Sequence, residues 1–241
     1  LFEADADLDA VQTRLLQALG LSRLPRLKIE TLEEREWEKE WMDRFQPMRF
    51  GDNLWICPSW HTPPESGAVT IMLDPGLAFG TGTHPTTALC LEWLDRHPPE
   101  GRQVIDYGCG SGILALAALK LGATAAIGVD LDPQALRATA ANAAANEVGE
   151  RLETCPPEGL ETVLARRKAD ILLANILAGP LQALLPGFAA RLKPGGQLVL
   201  AGILAEQAEA LAARAAPWFE LEPPAVRAGW ARLAGRRKVE D

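Results

Sequence analysis

The run Asp106-Tyr107-Gly108-Cys109-Gly110-Ser111-Gly112 constrains this chain more than any other segment, because it joins a short apolar stretch, Val104-Ile105, to an unbroken apolar run from Ile113 to Leu119. That order reads as strand, glycine turn and helix. Alternating glycines let the backbone turn tightly and come close to a ligand, and the helix start behind them presents N–H groups without intrahelical partners. A second apolar stretch, Ala126 to Val129, ends in Asp130. An acid about 20 residues beyond the central glycine is where strand-turn-helix nucleotide folds place the carboxylate that grips a ribose diol. Gly108, Gly110 and Asp130 therefore predict a nucleoside-type cofactor.

The glycine spacing narrows the cofactor. A dinucleotide site carries G-x-G-x-x-G, whose third glycine lets the helix pack close beside a pyrophosphate. Here the run is G-x-G-x-G, and Ile113 stands where that third glycine belongs. This argues against NAD. An acid opening the loop, as Asp106 does, with three alternating glycines resembles the first motif of the S-adenosylmethionine-dependent methyltransferases, whose ligand has no phosphate. A nicotinamide-dependent oxidoreductase shares the fold and stays open as a competing reading.

At 241 residues and 48% hydrophobic composition, the chain has room for one large domain, or for one domain with a small appendage. Its formal charge of −8 and single dense basic cluster, Arg236-Arg237-Lys238, argue against sequence-specific nucleic-acid binding, which needs clustered cations. Cys57, Cys90, Cys109 and Cys155 form no C-x-x-C pair, and His61, His84 and His97 show no metal-ligand spacing, so neither disulfides nor a metal are expected. Ile171 to Ala190 carries no charge, but Asn175, Gly179-Pro180, Gln182 and Pro186-Gly187 break it into a buried strand, a loop and a short helix. No membrane span and no signal peptide are expected, which implies a cytoplasmic protein. The chain opens on Leu1 rather than Met, which leaves a missing native N-terminus as an expectation.

Along the chain, Leu8 to Leu19 has helical periodicity behind a cap at Asp7, and Arg26 to Glu30 alternates like a strand. Thr31 and Glu34 form a capping box for a charged helix in which Trp37 and Trp41 share one face, read as anchors of a linker. Short strands follow at Leu54–Ile56 and Val69–Leu73. The glycine-rich loop from Asp74 then ends with Pro85 at a helix start and with Thr86 and Thr87 in its first turn. Beyond Asp130, a helix capped by Asp132, strands near Arg151–Cys155 and Ala169–Asn175, a helix at Leu181–Leu192 and a strand at Gln197–Leu200 alternate. That is a doubly wound α/β sheet, with Gly108, Asp130 and Asn175 at the carboxyl ends of three strands.

The strings Leu73 to Thr87, Val104 to Gly112, Gly128 to Pro133 and Leu173 to Ala178 together resemble the bacterial ribosomal protein L11 methyltransferases over nearly the whole chain. The resemblance implies a class I S-adenosylmethionine-dependent methyltransferase fold, a Rossmann-like doubly wound sheet over residues 49–241. A helical linker over 31–48 and a partial ferredoxin-like α+β substrate-recognition domain over 1–30 would precede it. It implies S-adenosyl-L-methionine contacts at Thr87, Gly108, Asp130 and Asn175, with Phe79, Gly80, Thr81 and Gly110 beside them. Asn175 is also implied to position the reacting amine. Ribosomal protein L11 is the implied substrate, methylated on lysine side chains and its α-amino group.

Asn175 is followed by Ile176-Leu177, whereas methyltransferases of planar amides or adenines use Asn-Pro-Pro-Tyr at this strand end, and this chain has one tyrosine, Tyr107. A flexible aliphatic amine needs no stacking platform, which favours a protein amino group over a nucleobase. A methyltransferase acting on lysines of another protein remains open.

Overall fold

The computed structural model describes residues 8–21, 23, 45–63, 65, 67–74, 83–165 and 167–239. The chain divides into two units, Leu1–Arg44 and Phe45–Asp241. In the first, helix α1 (Leu8–Leu19) has the bounds its periodicity predicts. The cap at Asp7, the strand at Arg26–Glu30 and the helix carrying Trp37 and Trp41 lie outside the described residues.

The second unit opens with a small sheet. Strand β1 (Met48–Phe50) runs antiparallel to β2 (Leu54–Cys57), which runs parallel to β3 (Val69–Met72). Helix α2 (Pro85–Arg96) leads to the main sheet. Its elements are β4 (Gln103–Tyr107), α3 (Ile113–Lys120), β5 (Ala125–Val129), α4 (Pro133–Ala145), β6 (Leu152–Cys155), α5 (Leu160–Leu164) and β7 (Ala169–Asn175). Then come α6 (Ala178–Arg191), β8 (Leu192–Leu204), α7 (Ala208–Ala215), β9 (Phe219–Leu221), β10 (Ala225–Arg227) and β11 (Trp230–Arg237).

The eight strands lie in the order β10-β11-β8-β7-β4-β5-β6, with β9 also on β11. From β8 to β6 the pairs are parallel, and β11 closes the far side antiparallel to β8. From β4 the chain winds outward through β5 and β6, then returns to β7 on the other side. That reversal between β4 and β7 opens a crevice at their carboxyl ends.

Period-two alternation feeds two cores from one sheet. Val104, Ile171 and Val199 face the cluster built with α2 and α3, while Ile105, Leu172 and Leu198 face the cluster built with α5, α6 and α7. Helix α3 is buried from Ile113 to Leu119 with no polar stripe, because it contacts the main sheet on one side and β3 of the small sheet on the other.

Two boundaries differ from expectation. Gly179-Pro180 is the first turn of α6 rather than a loop: a proline is tolerated there because its missing N–H has no intrahelical acceptor to lose. Pro194-Gly195-Gly196 lies inside the 13-residue β8 instead of preceding it, and the pairing register with β7 shifts between Ala169 and Ile171. The 20 uncharged residues from Ile171 are thus shared between β7 and α6, and among the described residues no helix is long and apolar enough to cross a membrane.

Phe188 on α6 is fully buried and meets the Tyr107 ring edge-on with centroids 5.1 Å apart. Phe188→Ala should cost about 3–5 kcal/mol of unfolding free energy, measured by urea denaturation, and a loss below about 1 kcal/mol would show that α6 does not carry this core.

Candidate active site

The turn between β4 and α3 is left-handed at all three glycines, with φ of 80° at Gly108, 55° at Gly110 and 82° at Gly112. Its donors are largely spoken for from within. The N–H groups of Gly108 and Cys109 both donate to the Val129 carbonyl at 2.7 and 3.0 Å, and that of Gly112 to the Cys109 carbonyl at 2.8 Å. Gly110 N–H donates to Asp130 Oδ2 and Ala115 N–H to Asp106 Oδ2, each at 3.0 Å. The helix start read from the sequence as a donor to ligand therefore serves Asp106. At Gly108, too, the reason for glycine differs: a Cβ would stand 2.2 Å from Ile176 Cγ2, so the spared space is filled by the residue after Asn175.

Asp130 is half-buried, and its Oδ1 accepts from Asp132 N–H at 3.0 Å. Each carboxylate oxygen thus holds one backbone donor and, with about four lone-pair sites on the group, keeps one for a diol. Leu131 beside it is 83% exposed. Asp106 is 1% exposed, and its Oδ1 has no hydrogen-bond partner. Burial pushes the Asp106 carboxyl up to about 7; the Ala115 N–H opposes that rise and the Asp130 charge adds to it. Burial, with the Asp106 charge adding to it, likewise pushes the Cys109 thiol up to about 12.

On the other side of the crevice, Asn175 ends β7 and its Nδ2 donates to Thr87 Oγ1 at 3.2 Å. Thr87 is 1% exposed in the first turn of α2. That turn is capped by His84, whose Nδ1 accepts from Thr86 N–H at 3.4 Å and lies 2.7 Å from Thr86 Oγ1. The His84 ring in turn meets Trp230 of β11 edge-on, centroids 4.6 Å apart. Because the amide of Asn175 commits its nitrogen to Thr87, its carbonyl oxygen is the end available to accept a proton donor.

Register brings these strand ends level. Tyr107 pairs with Val129 on one side and Ala174 on the other, so Gly108, Asp130 and Asn175 each lie one residue beyond the last pair that β4 makes. Gly110 joins them through Asp130, and Thr87 through Asn175. Phe79, Gly80 and Thr81 lie outside the described residues. Sequence reasoning missed His84 as a helix cap and Trp230 as its neighbour. An acceptor side chain just before Pro85 was a usable signal for His84, whereas nothing in the sequence pointed to Trp230. Among the described residues no three His, Cys, Asp or Glu side chains are grouped to hold a metal ion, and all four cysteines are buried and free.

A turn whose N–H groups at Gly108, Cys109, Gly110, Gly112 and Ala115 have internal acceptors offers little to a pyrophosphate, and a carboxylate with vacant lone pairs suits a ribose. The buried, partnerless Asp106 oxygen suits a cationic or N–H-bearing ligand group. The residues present fit S-adenosylmethionine and not a dinucleotide.

The sequence model of the family described as ribosomal protein L11 methyltransferase (PrmA) matches residues 1–238. Two curated relatives named ribosomal protein L11 methyltransferase are similar to it. That from Pseudomonas putida (strain W619) is 56% identical over 239 residues, covering 99% of this chain and 80% of the relative. That from Pseudomonas aeruginosa (strain LESB58) is 55% identical over 240 residues, covering 100% and 80%. Among solved structures, ribosomal protein L11 methylase from Lactobacillus delbrueckii subsp. bulgaricus superposes with a TM-score of 0.71 at 32% identity, over 81% of this chain and 100% of that one.

The Asp106 carboxyl titrates near 7 when folded and at about 4 when unfolded. Between those values the folded chain holds a proton that the unfolded chain has released, so stability falls as pH rises through the window. Asp106→Asn keeps an acceptor for Ala115 N–H and removes the ionisation. Its urea midpoint relative to the parent should therefore be higher at about pH 8 than at about pH 5, and an equal difference at both would show an unshifted carboxyl.

Proposed function

This chain belongs to the ribosomal protein L11 methyltransferase family, and on that footing we propose that it methylates amino groups of ribosomal protein L11, its lysine side chains and α-amino group, using S-adenosyl-L-methionine. The contact that carries the reading is Asn175 Nδ2 on Thr87 Oγ1, level with Gly108 and Asp130 at the β4/β7 crevice. The cofactor supplies an electrophilic methyl group on a positively charged sulfur.

Asp130 would hold the ribose diol with its two vacant lone pairs, the exposed Leu131 would cover a face of the base, and Gly110 would keep the carboxylate in place through its N–H. The protein's task is then alignment, since in-line displacement at a methyl carbon asks for little acid–base chemistry. The attacking amine must be neutral. For a lysine at pH 7 the lost proton costs roughly 4.6 kcal/mol, while an α-amino group near pKa 8 is neutral in about a tenth of molecules. Asn175 has no basic group with which to take that proton. Fixed by Thr87, its carbonyl accepts an N–H of the amine and turns the lone pair toward the methyl group. The two residues after Asn175 offer no ring to stack on a planar target: Ile176 packs onto Gly108 and Leu177 is 70% exposed.

In this reading residues 1–30 are part of a domain that recognises the protein substrate, and residues 31–48 link it to the methyltransferase domain. The net charge of −8 complements a basic target and gives no footing for sequence-specific nucleic-acid contact. The site of action is the cytoplasm.

Asp130→Ala should weaken S-adenosylmethionine binding by roughly 1–3 kcal/mol in calorimetry, since it removes the ribose contact and strands Gly110 N–H; unchanged affinity would remove Asp130 from the site. Asn175→Ala should lower turnover by about one to three powers of ten with little change in melting temperature. Mass spectrometry of ribosomal protein L11 after incubation with enzyme and cofactor should show mass gains in steps of one methyl group. No gain on it, with labelled methyl on another protein instead, would move the substrate elsewhere.

A further inference from the structure

Helix α4 and its C-cap carry three polar side chains spaced three and four apart, Thr139, Asn142 and Asn146, which places them along one face. Thr139 is fully buried and Asn146 is 2% exposed. None of the three was singled out by the sequence, yet two hold backbone of the glycine turn and the third holds the last residue of β3.

Thr139 Oγ1 donates to the Gly110 carbonyl at 3.0 Å, with Cys109 Sγ at 3.3 Å. Its methyl group fills space left by two glycines: a Cβ on Gly112 would lie 2.8 Å from Thr139 Cγ2, and one on Gly128 3.2 Å. The carbonyl it grips belongs to the residue whose N–H steadies Asp130. One turn on, Asn142 Nδ2 donates to the Ser111 carbonyl at 2.8 Å.

Asn146 does for Met72 what a neighbouring strand would do. Its Oδ1 accepts from Met72 N–H at 2.8 Å, and its Nδ2 donates to the Met72 carbonyl at 2.7 Å and to the Asn142 carbonyl at 2.8 Å. Met72 is the last residue of β3, and the chain beyond it runs through residues 73–84 into α2 and Thr87. The same helix face therefore grips the glycine turn and the entry to the segment that delivers Thr87. An asparagine is required at 146 because a backbone N–H and C=O together need one acceptor and one donor on a short stem.

We propose that Thr139, Asn142 and Asn146 are positioning residues that set the cofactor cleft by fixing the glycine turn and the entry of the Thr87 segment to one rigid helix face. This rests on the reading that Gly110, Asp130 and Thr87 line the cofactor site. They act through Gly110, Ser111 and Met72, and their loss should appear in cofactor affinity rather than in stability alone.

The test is calorimetric titration of the whole chain with S-adenosylhomocysteine, at a temperature where each variant is folded, beside its melting temperature. Thr139→Val keeps the shape and loses the hydroxyl, and Asn146→Leu loses both bonds to Met72; each should raise Kd about tenfold. Asn142→Ala, at a half-exposed site with one bond to lose, should raise it about threefold. Thr139→Ser keeps the hydroxyl and sheds the methyl group, so it should lower the melting temperature while holding Kd within about twofold of the parent. Lower melting temperatures with an unchanged Kd in the Val and Leu variants would make these residues structural only and overturn the proposal. If those two variants do not fold, an unchanged Kd in Asn142→Ala overturns it. A parent chain that itself fails to bind S-adenosylhomocysteine would instead remove the cofactor reading beneath it.

Discussion

The hydrogen bond from Gly110 N–H to the Asp130 carboxylate is the contact on which the rest of the site depends. It joins the turn after β4 to the end of β5, two segments that the parallel pairing of β4 with β5 already brings level. Parallel pairing alone leaves the turns beyond the strands free to choose their conformation. A carboxylate that accepts Gly110 N–H on one oxygen and Asp132 N–H on the other removes that choice for both turns. Asp106 secures the opposite end of the glycine turn by accepting from Ala115 inside α3.

The sheet was legible in the sequence because burial on both faces writes itself as short apolar runs, as in Val104-Ile105, Ala126 to Val129 and Ile171 to Ala174. Turn chemistry marked their ends: Gly108, Asp130 and Asn175 each sit where the structure ends a strand pairing. What stayed hidden was less regular. Strands β9 and β10 span three residues each, and β11 fills its buried positions with Ala231, Leu233, Ala234 and Gly235, too small a set to announce a strand. Trp230 was invisible for that reason, since its meeting with His84 depends on a strand, paired between β10 and β8, that no local pattern revealed.

The polar face of α4 was hidden for a different reason. Threonine and asparagine in a helix are usually read as solvated positions, and the mean composition of Pro133 to Asn146 gives no cue to the contrary. Burial of Thr139 and Asn146 becomes visible only once the glycine turn and β3 are in place to accept their hydrogen bonds. The same limit applied at Gly108, whose lack of a side chain was read as room for a ligand. Only the tertiary packing shows Ile176 in that room.

Cys109 sits in the same turn as Gly108 and Gly110, the residues that would border a sulfonium methyl donor, and a thiolate is a better nucleophile than any amine such an enzyme serves. Burial pushes its thiol up to about 12, which keeps it protonated at neutral pH. The turn thus holds its one sulfur nucleophile as a buried thiol, 5% exposed, and leaves the crevice to a nucleophile arriving from outside.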